Sequence, residues 1–155
     1  MTVVEALQRS TLFKDFTETG LKIFGAIAQE KSVPAGSPLF VENMVGESLL
    51  IVKSGTVRIT QRVGAEEKEL TVLGEGEHLG ALSVLARSVR MVSAVAATPC
   101  EVVEITQHAY YQLQPQKPQA CLKLALAIAS DLASRMFDNR EAMRGLAVRP
   151  AQGRG

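Results

Sequence analysis

Residues 37–106 constrain the fold more than any other part of the chain. Their apolar runs are short, rich in β-branched residues and interrupted by turn residues about every 8 to 12 positions. Such spacing is typical of antiparallel strands that close into a barrel or a double-sheet roll. We therefore predict an α+β, mainly β protein built on an antiparallel, jelly-roll-like double-sheet β-roll over residues 37–106. The runs are PLFVE, SLLIVKS, TVRITQRV, KELTVLG, VSAVAA and EVVEIT.

Helical periodicity flanks this segment on both sides. Residues 3–30 are predicted to form N-terminal helices, with Thr17 as an N-cap before apolar residues at helical spacing. Residues 109–144 are predicted to form a short helix and then one long C-terminal helix from about residue 119. We expect residues 1–145 to form a single domain and the Gly-, Pro- and Arg-rich tail, residues 145–155, to be disordered.

The long helix carries two apolar stripes. The first is an a/d seam of about three heptads, which predicts a homodimer through this helix. The second stripe is the face predicted to pack on the β-roll. The alternative is a single broad stripe that faces the core. The seam comprises Leu122, Ala125, Ala129, Leu132, Met136 and Met143, and the second stripe comprises Leu124, Ile128 and Phe137.

Composition excludes several classes of partner. The 155 residues are 46% hydrophobic and 21% charged, with a formal net charge of +1 and scattered Lys and Arg, so no nucleic-acid footprint is present. The N-terminus lacks a signal-peptide core, and no apolar run reaches the roughly 18 residues of a membrane span. Cys100 and Cys121 lack metal-ligand spacing and are predicted to be buried thiols. We therefore expect a cytoplasmic protein that binds neither nucleic acid nor membrane.

Residues 73–98, LGEGEHLGALSVLARSVRMVSAVAAT, combine the features of an anion-binding pocket. Three glycines, the last of them Gly80, space a turn that leads into a short apolar helix. Arg90 follows in the next loop, just before an apolar strand. Glycines, a helix N-terminus and a guanidinium together suit an anionic group. Arg87, in the same loop, is interpreted as a solvated side chain.

The sequence shows no constellation that indicates catalysis. His78 and His108 stand apart, whereas a metal-binding β-roll such as a cupin needs clustered His and carboxylate ligands. The GEGE stretch at residues 74–77 is a turn, because a dinucleotide fingerprint would open a long helix. We predict a non-enzyme without a metal, with a small cupin-like β-roll enzyme as the remote alternative.

Four stretches follow one another in an order that many independently placed turn residues support: LFKDFTETGLKIF, PAGSPLFVENMVGESLLIVKSGTVRIT, GEGEHLGALSVL and CEVVEIT. Over residues 12–140 this order resembles the cyclic nucleotide-binding domain family. The family supplies the sensor domains of catabolite-activator-like regulators, cyclic-nucleotide-dependent kinases and gated channels. The resemblance implies N-terminal helices, a β-roll with a phosphate-binding cassette, and a final helix that reaches over the ligand.

The cassette can be compared position by position. In the family it reads Phe-Gly-Glu-Leu/Ile-Ala/Ser and, several residues later, Arg-Ser/Thr-Ala. Gly80 matches the glycine, and Leu82 and Ser83 match the two positions after the glutamate. Arg90 matches the arginine, which the resemblance assigns to the cyclic phosphate. The implied ligand-binding residues are Gly80, Ala81, Leu82, Ser83, Arg90, Met91 and Val92, with Arg135 and Met136 as a candidate lid.

Two cassette positions depart from the family pattern. Ala81 stands where the family has the glutamate that holds the ribose 2′-hydroxyl, and Met91 stands where it has a Ser/Thr phosphate donor. Losing a charge-assisted hydrogen bond costs roughly 1.5–3 kcal/mol and losing a neutral one about 1 kcal/mol. Together these losses would weaken cyclic nucleotide binding by on the order of 10²- to 10³-fold.

We interpret the chain as a stand-alone regulatory or adaptor module that acts through protein–protein contacts, with weak, altered or lost cyclic nucleotide binding. The alternative is a true cAMP or cGMP sensor that uses Arg90 for the cyclic phosphate. Its ligand would be cAMP, cGMP or another small phosphate-bearing anion. Since few residues follow the long helix, no output domain is expected here, and the module is predicted to signal to an unidentified effector protein.

Overall fold

The N-terminal helices end before the predicted residue 30. In the computed structural model, which describes residues 1–147, α1 (Val3–Arg9) is followed by a 3₁₀ turn (Thr11–Phe13) and by α2 (Glu18–Ile27). The Thr17 side chain caps α2, as predicted, by accepting a hydrogen bond from the Gly20 amide at 3.1 Å.

The prediction of helix over residues 3–30 is wrong at its C-terminal end. Residues Gln29–Val33 form strand β1, which pairs antiparallel with the strand Cys100–Thr106. Ala28 already has an extended backbone and closes the last turn of α2. Because the β1 backbone finds its hydrogen bonds across the sheet, pairing with a distant segment overrides the local helical pattern.

The predicted antiparallel double-sheet β-roll is confirmed. One sheet has the strand order β1-β10-β4-β7, the other has the order β2-β9-β5-β6, and β3 pairs with β8 as a short ribbon. The four-residue helix α3 (Leu82–Leu85) interrupts the strands between β7 and β8. The strands after β1 are β2 (Pro38–Phe40), β3 (Val45–Gly46), β4 (Ser48–Ser54), β5 (Val57–Val63), β6 (Glu66–Leu73), β7 (His78–Leu79), β8 (Ser88–Val89), β9 (Ser93–Ala96) and β10 (Cys100–Thr106).

Strands β4 and β10 separate two hydrophobic cores. Because successive side chains of a strand point to opposite faces, their odd-numbered apolar residues pack against the helices and their even-numbered apolar residues face the interior of the roll. We call these clusters the helical core and the roll core. The helical core includes Leu49, Ile51, Val103, Ile105 and Cys121, and the roll core includes Leu50, Val52, Val102, Cys100 and Ala94. The prediction that both cysteines are buried is confirmed.

The C-terminal region is divided into three helices rather than two. Helix α4 (Gln107–Leu113) begins after its cap Thr106, and α5 (Pro118–Asp138) is followed by α6 (Arg140–Ala147). The predicted long C-terminal helix is confirmed as α5, but its predicted end at residue 144 is wrong, because Asn139 ends it with a non-helical backbone (φ −111°, ψ 32°). The Asn139 side chain donates to the Arg135 carbonyl at 2.8 Å, which competes with continued helix formation.

One face of α5 packs on the β-roll. Leu124 and Ile128 are buried in the helical core, as predicted, but Phe137 from the same predicted stripe is 68% exposed. The Phe137 ring instead contacts the Arg140 guanidinium, 5.2 Å from the ring centroid. The tail was predicted to be disordered over residues 145–155, but residues 145–147 belong to α6. Residues 148–155 lie outside the described residues. Within residues 1–147, no helix combines the length and apolarity needed to cross a membrane.

Candidate functional site

Two short strands position Arg90 beside the predicted glycine turn. Strand β8 pairs with β3, with Val89 opposite Val45 and Ser88 opposite Gly46. The Arg90 amide then donates to the Met44 carbonyl at 2.7 Å, which continues the ladder by one residue. Backbone hydrogen bonds therefore fix the main chain at Arg90 independently of its side-chain contacts.

The Arg90 guanidinium is buried and held on three sides. Its Nη1 donates to Ser83 Oγ at 3.2 Å and its Nη2 donates to the Ser48 carbonyl at 3.0 Å. The Cζ atom lies 4.3 Å from the centroid of the Phe40 ring, a cation–π contact. Only 7% of Arg90 is exposed. Ser83 is itself fixed by a 2.9 Å hydrogen bond to Ser88 Oγ.

Two glycines leave the space that the guanidinium occupies. A Cβ at Gly46 would lie 2.5 Å from Arg90 Nε, and a Cβ at Gly80 would overlap Arg90 Nη1. Gly80 also has a φ of 68°, which favours glycine. Gly80 therefore both forms the turn before α3 and leaves room for the Arg90 guanidinium.

Arg90 has no direct counter-ion among residues 1–147. Its hydrogen bonds there go to a hydroxyl and a carbonyl, not to a carboxylate. Burial lowers the pKa of Arg90 from its ordinary value, and the negative charge of Glu104 opposes that change. A guanidinium remains protonated under all such conditions, so the site holds a positive charge that no contacting carboxylate neutralises.

Arg90 lines a cavity of about 590 Å³ between the β-roll and α5. The cavity walls are mostly apolar, with two arginines and a few hydroxyl, imidazole and carboxylate groups among them. Pockets of this size and lining hold small organic ligands. The lining residues include Phe40, Ile59, Leu73, His78, Leu79, Val89, Ile128, Asp131, Leu132 and Arg135.

Every residue of the predicted cassette lines this cavity. Ser83 and Arg90 contact each other, whereas Met91 is 80% exposed at the cavity surface. Of the candidate lid, Arg135 lines the cavity and Met136 does not. The cassette residues at the cavity are Gly80, Ala81, Leu82, Ser83, Arg90, Met91 and Val92.

A polar cluster that the sequence does not reveal ties the cavity wall to α5. His78 Nε2 lies 3.1 Å from Asp131 Oδ2, which also accepts a 3.0 Å hydrogen bond from Arg135 Nε. Arg135 Nη2 lies 3.3 Å from His78 Nε2. The sequence predicts an isolated His78, because its partners are more than fifty residues away along the chain. The i, i+4 spacing of Asp131 and Arg135 was the one local signal available. We call this cluster the α5 tether.

The predicted dimer seam is divided between two environments. Leu122 is 58% exposed, whereas Leu132 is 40% exposed and also lines the cavity. Leu126, outside the predicted seam, is 61% exposed. Ala129 is exposed, Ala125 and Met136 are half-buried, and the side chain of Met143 lies outside the described residues.

The sequence model of the family described as "Cyclic nucleotide-binding domain" matches residues 30–116. The chain belongs to this family. The matched part of this cyclic nucleotide-binding domain contains the whole cassette and ends just before α5 begins at Pro118. The α5 tether therefore joins a matched residue, His78, to two residues beyond the match.

Relatives and solved structures agree with this assignment. The cyclic AMP receptor protein of Thermus thermophilus is 30% identical over 127 residues, which are 81% of this chain but only 59% of that protein. The crystal structure of the Thermus thermophilus catabolite activator protein has a TM-score of 0.77 at 29% identity, covering 89% of this chain and 63% of that one. The regulatory domain of Toxoplasma gondii PKA, solved with cAMP, has a TM-score of 0.65 at 27% identity, covering 71% and 42%. The chain thus spans less than two thirds of each of these proteins.

Proposed function

We propose that this domain is a non-enzymatic regulatory module whose cavity binds a small phosphate-bearing anion through Arg90, with cAMP and cGMP as weak ligands. One observation carries the proposal: the buried Arg90 guanidinium lines a cavity and, among the described residues, contacts no carboxylate. A buried charge without a contacting counter-ion is unfavourable. An anion that enters the cavity would therefore gain a charge-assisted hydrogen bond.

The same cavity supports weak rather than tight binding of cyclic nucleotides. Ala81 offers no acceptor for a ribose hydroxyl, and Met91, at the cavity surface, offers no hydroxyl donor. The Ser83 hydroxyl remains beside Arg90 as a polar neighbour for an anion. We therefore expect affinities on the order of 10²- to 10³-fold below those of domains with the complete cassette.

Calorimetric titration with cAMP and with cGMP tests the proposal. Binding should be lost in Arg90→Gln, which removes the charge, and kept in Arg87→Gln. Arg87 is the matched control, because its side chain is 72% exposed and lies 3.8 Å from Glu47 in the same loop region. Absence of heat at millimolar nucleotide would contradict the proposal and leave an interaction scaffold. Binding as tight as that of complete-cassette domains would favour the alternative, a dedicated cyclic nucleotide sensor.

Restoring the two missing side chains tests the same site in the opposite direction. The double variant A81E/M91S should bind cAMP or cGMP on the order of 10²- to 10³-fold more tightly than the natural sequence. The same double substitution combined with Arg90→Gln is the control and should not recover that affinity. An unchanged affinity in A81E/M91S would mean that the cavity does not present a cyclic nucleotide to these positions.

We propose further that the module forms a homodimer through α5 and passes its signal to an effector protein by that helix. Large apolar side chains support this, because Leu122, Leu126 and Phe137 of α5 are each more than half exposed. A helix with such a face is stabilised when a second apolar helix covers it. The α5 tether supplies a route by which the cavity and this helix affect each other.

Light scattering tests the dimer. Leu122→Glu places a charge on the exposed face and should convert a dimer to a monomer. Leu70→Glu is the control, because Leu70 is an exposed leucine (46%) on strand β6. Loss of the dimer in both variants, or in neither, would contradict an interface through α5. Leu132 is unsuitable for this test because it lines the cavity.

A further inference from the structure

Glu104 and Lys31 form an ion pair that Ser48 connects to Arg90. Ser48 joins the two places: its carbonyl accepts from Arg90 Nη2 at 3.0 Å, and its hydroxyl donates to Glu104 Oε2 at 2.8 Å. The other oxygen of Glu104 lies 2.7 Å from Lys31 Nζ. The Glu104 side chain is 13% exposed and that of Lys31 is 53% exposed. A row of polar contacts therefore runs from the cavity to the surface, from the Arg90 guanidinium through Ser48 and the Glu104 carboxylate to the Lys31 ammonium.

We propose that Glu104 is the recessed counter-charge of Arg90 and sets how strongly the cavity attracts an anion, an inference that rests on the proposed function. A carboxylate in direct contact with Arg90 would occupy the donors that an anion needs. One set back behind Ser48 lowers the cost of burying the cation and leaves those donors available. A guanidinium has five N–H groups, and the hydrogen bonds to Ser83 and Ser48 use two of them.

The arrangement fixes the sign of two charge effects. Glu104 repels an anion that approaches Arg90, so neutralising Glu104 should strengthen anion binding. Lys31 offsets Glu104, so neutralising Lys31 should expose that repulsion and weaken anion binding. The influence of Glu104 on Arg90 agrees with its effect on the arginine pKa, where its charge opposes the lowering caused by burial. A purely structural role predicts the same sign for both changes, because each breaks a contact of the same row.

Titration of three variants with cAMP and cGMP distinguishes the electrostatic role of Glu104 from a purely structural one. Glu104→Gln keeps the side-chain shape and should bind more tightly than the natural sequence, by on the order of three- to tenfold. Lys31→Met should bind more weakly by a similar factor. Glu101→Gln removes a charge from the same strand, where Glu101 is half exposed beside Lys53, and should leave the affinity within about twofold. Weaker binding in both Glu104→Gln and Lys31→Met would overturn the proposal.

A ligand-free measurement keeps the inference testable even if nucleotides do not bind. Glu104→Gln should lower the midpoint of thermal unfolding in the natural background and lower it much less in Arg90→Met, where the cation is already absent. Equal losses in the two backgrounds would overturn the pairing of Glu104 with Arg90. Unequal losses without nucleotide binding by any variant would refute the proposed function and support the pairing alone.

Discussion

Arg90 occupies a space that exists only because positions 46 and 80 carry no side chain. The two glycines serve for different reasons. Gly80 needs both a positive φ and an empty site for the guanidinium, whereas Gly46 lies in strand β3 and supplies only room. A buried arginine in a β-roll therefore depends on residues that make no hydrogen bond to it.

Gly80→Ala should destabilise the protein by about 1–3 kcal/mol more than Gly64→Ala. Both positions have a positive φ, 68° and 65°, so each alanine carries a similar backbone cost, on the order of 1–2 kcal/mol. Gly64 has open space around it, whereas the Gly80 alanine must displace Arg90. Urea unfolding measures the difference. Equal losses would mean that the guanidinium does not lie against Gly80.

At the residue scale, the sequence predicts the cavity residues that are close to Arg90 along the chain and misses those that come from distant strands. Gly80, Ser83 and Arg90 lie within one stretch of the chain, so motif spacing brings them together. Ser48 and Phe40 reach Arg90 only through strands that are distant in sequence. Such partners depend on sheet topology, which local periodicity does not encode. Met91 lines the cavity as a cassette position, but its 80% exposure is not predicted by motif spacing.

At the scale of elements, α5 is held to the β-roll by two unlike contacts. Leu124 and Ile128 pack in the helical core, and one to two turns later Asp131 and Arg135 reach His78 at the cavity wall. The apolar contact fixes the helix against the sheet, and Ile128 also lines the cavity. All three residues of the α5 tether line the cavity, so we expect a ligand there to change the strength of the tether.

Asp131→Ala should lower the free energy of unfolding by about 1–3 kcal/mol, because it removes a partly buried acceptor that serves both His78 and Arg135. Amide hydrogen exchange over residues 128–138 should become faster, since the tether no longer holds this part of α5. Asp138→Ala is the matched control on an exposed turn of the same helix and should change stability by no more than about 0.5 kcal/mol. If the two variants behave alike, the tether does not hold the helix.

Element boundaries were predictable where local chemistry sets them. Thr17 caps α2 as predicted, and α5 begins at a proline close to the predicted residue 119. Thr106 caps α4, which begins two residues before the predicted residue 109. The predicted end of α2 is wrong because strand pairing sets it. The residues after α2 form β1, which pairs with β10, some seventy residues further along the chain. The break at Asn139 is missing from the predicted helix, and the hydrogen bond from the Asn139 side chain to the Arg135 carbonyl accounts for it.

At the scale of the whole molecule, the two cores share one sheet. Strands β4 and β10 have both faces buried, so the helical core and the roll core cannot separate without exposing one face of that sheet. Each core also contains one cysteine: Cys121 in the helical core and Cys100 in the roll core. Each side of the shared sheet therefore has one thiol whose labelling measures the opening of that core.

The two thiols should react with iodoacetamide through a single opening of the protein. Cys100 is 3% exposed and Cys121 is 2% exposed, and burial also raises the pKa of the Cys121 thiol, which lowers its thiolate fraction. Peptide-resolved mass spectrometry of the natural chain at increasing urea should yield free energies of opening that agree within about 0.5 kcal/mol. Labelling of the fully unfolded chain calibrates the intrinsic reactivity of each thiol. A distinctly lower free energy at Cys100 would show that the roll core opens while the helices stay packed, and that the shared sheet does not couple the two cores.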